Sequence, residues 1–196
     1  PGKTIGEGLD EMDKIAAEVL DESFRTALAG ESKDFRDSSS SLLFAFGLAL
    51  ILIFLVLAAQ FESFKDPIII MFTVPLAVGG ALLFLWYFNQ TMNIFSQIGI
   101  IMLVGLVAKN GILIVEFANQ KNRAGLSKLE AIKDASRQRF RPILMTSVST
   151  ILGTMPLALA TGASANSRIA MGIAVVGGLT VSTFLTLYIV PAIYSY

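Results

Sequence analysis

From Leu42 onward, long apolar runs alternate with short polar ones. The apolar runs cover about 42–60, 68–88, 96–118, 142–160 and 170–191, each close to the roughly 20 residues a helix needs to cross a bilayer core. In lipid a segment must satisfy its own backbone, which a helix does and an open strand does not. The pattern therefore predicts five transmembrane helices and an all-α membrane protein. Pro75 and Pro156 are expected to bend the second and fourth spans locally. Gly79, Gly80, Gly105, Gly111, Gly177 and Gly178 are small interior residues that permit close helix contact.

Before the serine run Ser38–Ser41 the pattern is different. In "LDEMDKIAAEVL", residues 9–20, Leu9, Met12, Ala16, Val19 and Leu20 recur at helical spacing with acids on the other face. This predicts one amphipathic helix of a water-exposed domain, with Thr4 and Glu7 as a capping signal. The chain thus divides into residues 1–40, the end of a soluble domain, and 41–196, the membrane part. It starts at Pro1 with no initiator methionine or signal peptide, so it is expected to be an interior piece of a longer polypeptide.

Composition agrees with the pattern. The chain is 54% hydrophobic and 15% charged, with a mean hydropathy of +0.69, whereas soluble domains run near 45–50% and about 25%. Its zero net charge hides an asymmetry, because residues 1–40 carry ten acids against five bases. Cysteine and histidine are absent, which removes disulfides, thiolate chemistry, histidine metal ligands and an imidazole proton shuttle. The connection 119–141 holds Lys121, Arg123, Lys128, Lys133, Arg137, Arg139 and Arg141 against only Glu130 and Asp134. The positive-inside rule makes this connection cytoplasmic. Alternation then places the acidic N-terminal segment outside and the C-terminus inside. "SKLEAIKDASRQRF" reads as a helix at the cytoplasmic face leading into span four, and membrane-surface anchoring is one reading of its basic amphipathic character.

One residue resists a structural explanation. Lys109, followed by Asn110, lies mid-span in "GLVAKNGILIVEF". A central lysine costs about 2.5–3.5 kcal/mol, which the surrounding apolar side chains offset at about 0.3–0.6 kcal/mol each. Intramembrane ionisable groups usually pair with one another and mark ion or proton pathways. Glu116 is seven residues on, about 10 Å along the axis, and is better read as an interfacial acid. None of the five spans contains an aspartate. The expected partner is therefore a carboxylate on a helix outside this chain, and Lys109 reads as half of a charge relay. In "RQRFRPILMTS", Pro142 suits a first helical turn. If the helix extends back to Arg139, then Arg139, Thr146 and Thr150 share a face. Arg137 and Arg141 read as interfacial anchors.

The motifs "GLVAKNGILIVEFA", "RFRPILMTS", "ILGTMPLA", "VVGGLTVSTFLTLYIVPAIY" and "LAAQFESFKDPIIIMFTVPLAVGGALL" resemble, in order and over nearly the whole chain, the C-terminal membrane half of resistance–nodulation–division efflux transporters. The nearest branch is the AcrB-like multidrug pumps. The resemblance implies that residues 1–40 finish a periplasmic α/β porter domain and that the spans match helices eight to twelve of twelve. It implies a proton relay of Lys109, Arg139 and Thr146 facing two aspartates of helix four, with Asn110 in support. It further implies a proton-driven drug antiporter, not an enzyme, in the bacterial inner membrane, with protons as coupling ion and no other cofactor. Its expected partners are the remaining helices of the pump, a homotrimer, a periplasmic adaptor, an outer-membrane channel and membrane lipids, but no nucleic acid. Heavy-metal pumps of the superfamily typically carry a glutamate at the Lys109 position, so metal export is disfavoured. Two alternatives stay open: a relative that moves lipid or polypeptide, and a non-catalytic membrane assembly subunit. With helices one to seven outside it, this stretch alone is not expected to transport.

Overall fold

The computed structural model describes residues 5–21, 23–162 and 165–195. The helices are α1 (Ile5–Val19), α2 (Glu31–Phe61), α3 (Lys65–Met71), α4 (Thr73–Tyr87), α5 (Ile94–Arg123), α6 (Lys128–Ala158) and α7 (Ala165–Ser195). No strand occurs among the described residues. Four stretches are long and apolar enough to cross a membrane by length and composition: Ser41–Phe61, Lys65–Tyr87, Ile94–Arg123 and Arg168–Ser195. The fifth expected span lies in α6. Its apolar half runs only from Pro142 to Ala158, and Thr146, Ser147, Ser149, Thr150 and Thr154 interrupt it.

Local chemistry explains where the helices start and break. At the head of α5, Ser96 N–H donates to Asn93 Oδ1 at 2.8 Å, and Asn93 N–H donates to Ser96 Oγ at 2.9 Å. This reciprocal box satisfies two otherwise orphaned donors. Ser127 and Glu130 form the same box at the head of α6, and the hydrogen bonds from Ser127 hold the Glu130 carboxyl below its usual range. Because the cap sits at Ser127, α6 begins well before the apolar run. Pro142 therefore lies inside the helix and not in its first turn as expected. Span two is two helices, α3 and α4, broken at Phe72. The break places Pro75 third in α4, where its missing N–H would have had no intrahelical partner. Pro156 produces no such break, since α6 continues to Ala158. The predicted N-terminal helix is α1; its Thr4 cap lies outside the described residues.

The core is built around α7, which packs against α3, α4, α5 and α6. Gly80 and Gly177 sit where any side chain would run into Val181 and Phe84 respectively, and Gly178 meets Leu103 and the Ala77 carbonyl. Gly111 lets Ile70 of α3 approach α5. Gly79 and Gly105, expected to act likewise, face open space in this chain. Two apolar clusters result. One gathers Ile70, Ile114, Val115, Ile132, Ile143 and Val190, and the other Ala77, Leu103, Val107, Ala174, Val175 and Leu179. Between α5 and α6, Gly125 adopts φ 101°, the left-handed region that glycine enters without a Cβ penalty. Beside this turn Lys121 Nζ lies 2.9 Å from Asp134 Oδ2, and that contact leads in holding the Asp134 carboxyl below its ordinary range.

Candidate functional site

Between the two apolar clusters lies a polar layer. On α5 it falls between Ala108 and Ile114, on α6 between Ile143 and Ile151, and on α7 between Leu179 and Val190. Asn110 Nδ2 donates to Ser147 Oγ at 3.2 Å, and Thr183 Oγ1 donates to the same oxygen at 3.1 Å. Asn110, Ser147 and Thr183 are all buried, so one serine hydroxyl joins three helices. Ser182 and Thr186 lie buried in the same stretch of α7.

Lys109 borders this layer. A half-open cavity of about 20 Å³ is lined by Lys109, Asn110, Thr146, Ser147 and Thr150 together with Leu106 and Leu179. That volume suits about one water molecule. Lys109 itself lies exposed on the surface of this chain. Among the described residues no carboxylate, Glu116 included, lies within ion-pair distance of it. Thr146 Oγ1 donates to the Ile143 carbonyl at 3.1 Å, and Thr150 Oγ1 to the Thr146 carbonyl at 2.8 Å. Each hydroxyl keeps an acceptor lone pair that can face the cavity.

Arg139 stands apart from the cavity. Its guanidinium lies over the Phe117 ring of α5 at 4.5 Å from the centroid. Its Nε is buried without a hydrogen-bond acceptor among the described residues. The helices α5 and α6 run antiparallel, so Phe117, beyond Lys109 on α5, meets Arg139, before Thr146 on α6. The structure thus brings Lys109, Asn110 and Thr146 together and sets Arg139 about two turns along the same seam. Arg141, read as an anchor, is exposed.

Reading the residues alone missed Ser147 and Thr183. Its only available signal was their place on apolar spans. Substituting Ser147→Ala is expected to remove the shared acceptor and leave the Asn110 amide and Thr183 hydroxyl buried and underpaired. That costs about 1–3 kcal/mol, read as a lower midpoint of thermal unfolding for detergent-purified protein. An unchanged midpoint would show that the layer does not hold the bundle together.

Long apolar helices packed through glycine contacts, with a lysine beside a buried polar layer, define a multi-pass α-helical membrane protein. Comparison with known proteins places it more closely: a sequence profile for the AcrB/AcrD/AcrF family matches residues 1–196, and the chain belongs to that family. It is 42% identical over 203 residues to an uncharacterised transporter of Haemophilus influenzae, covering 100% of this chain and 20% of that protein. It is 42% identical over 175 residues to multidrug resistance protein MdtC of Erwinia tasmaniensis, covering 89% of this chain and 17% of MdtC. It is 39% identical over 191 residues to the toluene efflux pump membrane transporter TtgB of Pseudomonas putida, covering 97% of this chain and 18% of TtgB. The chain therefore spans about a fifth of the length of these relatives. The resemblance carried by "GLVAKNGILIVEFA" and its companion motifs is borne out, as is the all-α membrane class.

Proposed function

We propose that this chain is the C-terminal membrane segment of a proton-driven multidrug efflux pump of the resistance–nodulation–division type. In this reading it supplies the basic and polar half of the proton relay. One observation carries the proposal: a mid-span lysine shares a small polar cavity with Thr146 and Asn110, and among the described residues no carboxylate pairs with it, Asp66 at the head of the second span being hydrogen-bonded to Asn119. The missing negative charge then comes from helices of the same pump outside this chain. Protonating those carboxylates releases the Lys109 ammonium, and the released charge lets α5 and α6 shift. Arg139 lies further along the same seam, where it can stabilise the ionised form as the lysine moves. The names of MdtC and TtgB favour small organic molecules as cargo over lipid or polypeptide. The working assembly in this reading is an inner-membrane homotrimer joined to a periplasmic adaptor and an outer-membrane channel.

The proposed topology places residues 1–40 in the periplasm and the 119–141 connection in the cytoplasm. Cysteines introduced at Ser32 and Ser127 of the full-length protein are expected to react with impermeant maleimide from opposite sides of the membrane. Labelling of both from outside intact cells would overturn this orientation. The coupling itself is tested in proteoliposomes of full-length protein. Dye transport is expected only with an imposed proton gradient, and transport driven equally well without one would overturn the antiport mechanism.

A further inference from the structure

We propose that the cleft between the first half of α6 and the last turns of α7 is a binding site for an anionic phospholipid. The cleft holds about 360 Å³. Its walls are apolar, from Leu129 and Ile132 on α6 and Leu187 and Pro191 on α7, while Lys133 and Arg137 stand among them. Both basic side chains belong to exposed residues. The two nearest acids in sequence take their hydrogen bonds elsewhere, Glu130 from Ser127 and Asp134 from Lys121 and Gln138, and Lys133 and Arg137 act on them only through space, as the weaker influences on each carboxyl. Among the described residues neither Lys133 nor Arg137 forms an ion pair.

The depth of the cleft matches the headgroup layer. The helix α7 stays apolar as far as Ser195 while α6 turns apolar only at Pro142, so residues 129–137 and 187–195 set a polar stretch against an apolar one, the mixed character of the headgroup layer. Tyr188, 75% exposed beside the cleft, is the kind of amphipathic ring that settles at this level. A free anion would answer the two charges but not the apolar walls, and a neutral lipid the walls but not the charges. A phospholipid with net negative charge answers both, its phosphate on Lys133 and Arg137 and the top of its acyl chains against Leu129 and Leu187. Basic clefts between membrane helices on the cytoplasmic side bind such headgroups by this combination. The inference rests on the multi-pass membrane reading and on the proposed cytoplasmic placement of the 119–141 connection, and does not depend on what is transported.

The test is native mass spectrometry of the full-length protein in detergent, titrated with dioleoylphosphatidylglycerol. Each basic residue near an anionic headgroup is worth about fivefold in affinity, so Lys133→Gln with Arg137→Gln is expected to weaken binding about 25-fold. Arg123→Gln with Lys128→Gln removes the same charge from the same connection outside the cleft, and is expected to change binding by less than about twofold. Ala192→Trp fills the cleft without altering charge and is expected to abolish retention. Dioleoylphosphatidylcholine should bind no better than phosphatidylglycerol binds the double variant, and excess inorganic phosphate should displace nothing. Equal losses for the two charge pairs would overturn the site in favour of diffuse attraction. Equal retention of phosphatidylcholine, displacement by phosphate, or full binding by Ala192→Trp would overturn it as well.

Discussion

Replacing Lys109 by alanine in the full-length pump is expected to reduce dye efflux to near background while leaving the protein at normal abundance in the membrane. In the proposed relay the Lys109 ammonium, exposed on this chain and covered by helices outside it, favours the ionised form of a nearby carboxylate and loses that partner when the carboxylate takes up a proton. A pump without this lysine then has no charge pair for proton uptake to switch, and the coupling step is expected to fail even where drug still binds. The fold should survive, because alanine removes an insertion cost of about 2.5–3.5 kcal/mol and adds none. Nor does Lys109 hold the polar layer together, since the hydrogen bonds there run through Asn110, Ser147 and Thr183. Lys109→Arg is expected to rescue efflux poorly, because a planar fork does not replace a compact ammonium in a cavity this small. The readout is dye efflux under a proton gradient, with membrane abundance measured on a blot. Near wild-type efflux at normal abundance would make Lys109 a passenger. A collapse in abundance would make it a structural pairing residue, as in an assembly subunit.

That experiment bears on a site whose parts were unevenly visible in the sequence. A lysine in the middle of an apolar run stands out because its insertion cost is large against every neighbour. The spans themselves were legible for the same reason: lipid enforces both length and polarity. Their ends were not, because a helix does not stop where hydrocarbon stops. The helix α2 begins at Glu31 and passes through the serine run read as a boundary, and α6 begins at its Ser127 cap.

The hydroxyl-bearing positions show a different limit. Thr146, Thr150, Thr154, Thr180 and Ser182 all donate to carbonyls of their own helices, the ordinary fate of a hydroxyl in a span. Ser147 and Thr183 look no different in sequence, and only the register between α5, α6 and α7 sets them against Asn110. Arg139 falls between these cases. Its residue type and its seven-residue spacing from Thr146 pointed to the seam, but nothing in the spacing distinguished the cavity from the Phe117 ring. Glycines divide in the same manner. Adjacent Gly79 and Gly80 read alike, yet one faces open space and the other Val181.

A second expected effect on stability follows from that division, at a glycine the pattern did not single out. A side chain at Gly172 would meet main-chain atoms: its Cβ would fall 2.7 Å from Ala158 Cα and 2.8 Å from the Leu157 carbonyl carbon. A flexible side chain can rotate away from such a contact, but the backbone at the end of α6 can yield only by moving the helix. Gly172→Ala is therefore expected to destabilise the protein by about 1–3 kcal/mol through overpacking. The gain of about 0.8–1 kcal/mol that alanine brings to a helix interior offsets part of this and cancels it only at the lower end of the range. Gly172→Val should lower membrane abundance further, since α7 packs against α3, α4, α5 and α6 and its displacement loosens each of those contacts. Gly79→Ala reverses the balance, because within this chain its Cβ meets nothing within 4 Å. It is expected to be neutral or slightly stabilising. Heating detergent-purified full-length variants and measuring the monodisperse fraction by fluorescence-detected size exclusion separates the two. A Gly172→Ala midpoint equal to that of Gly79→Ala would mean that α6 and α7 do not approach at this glycine.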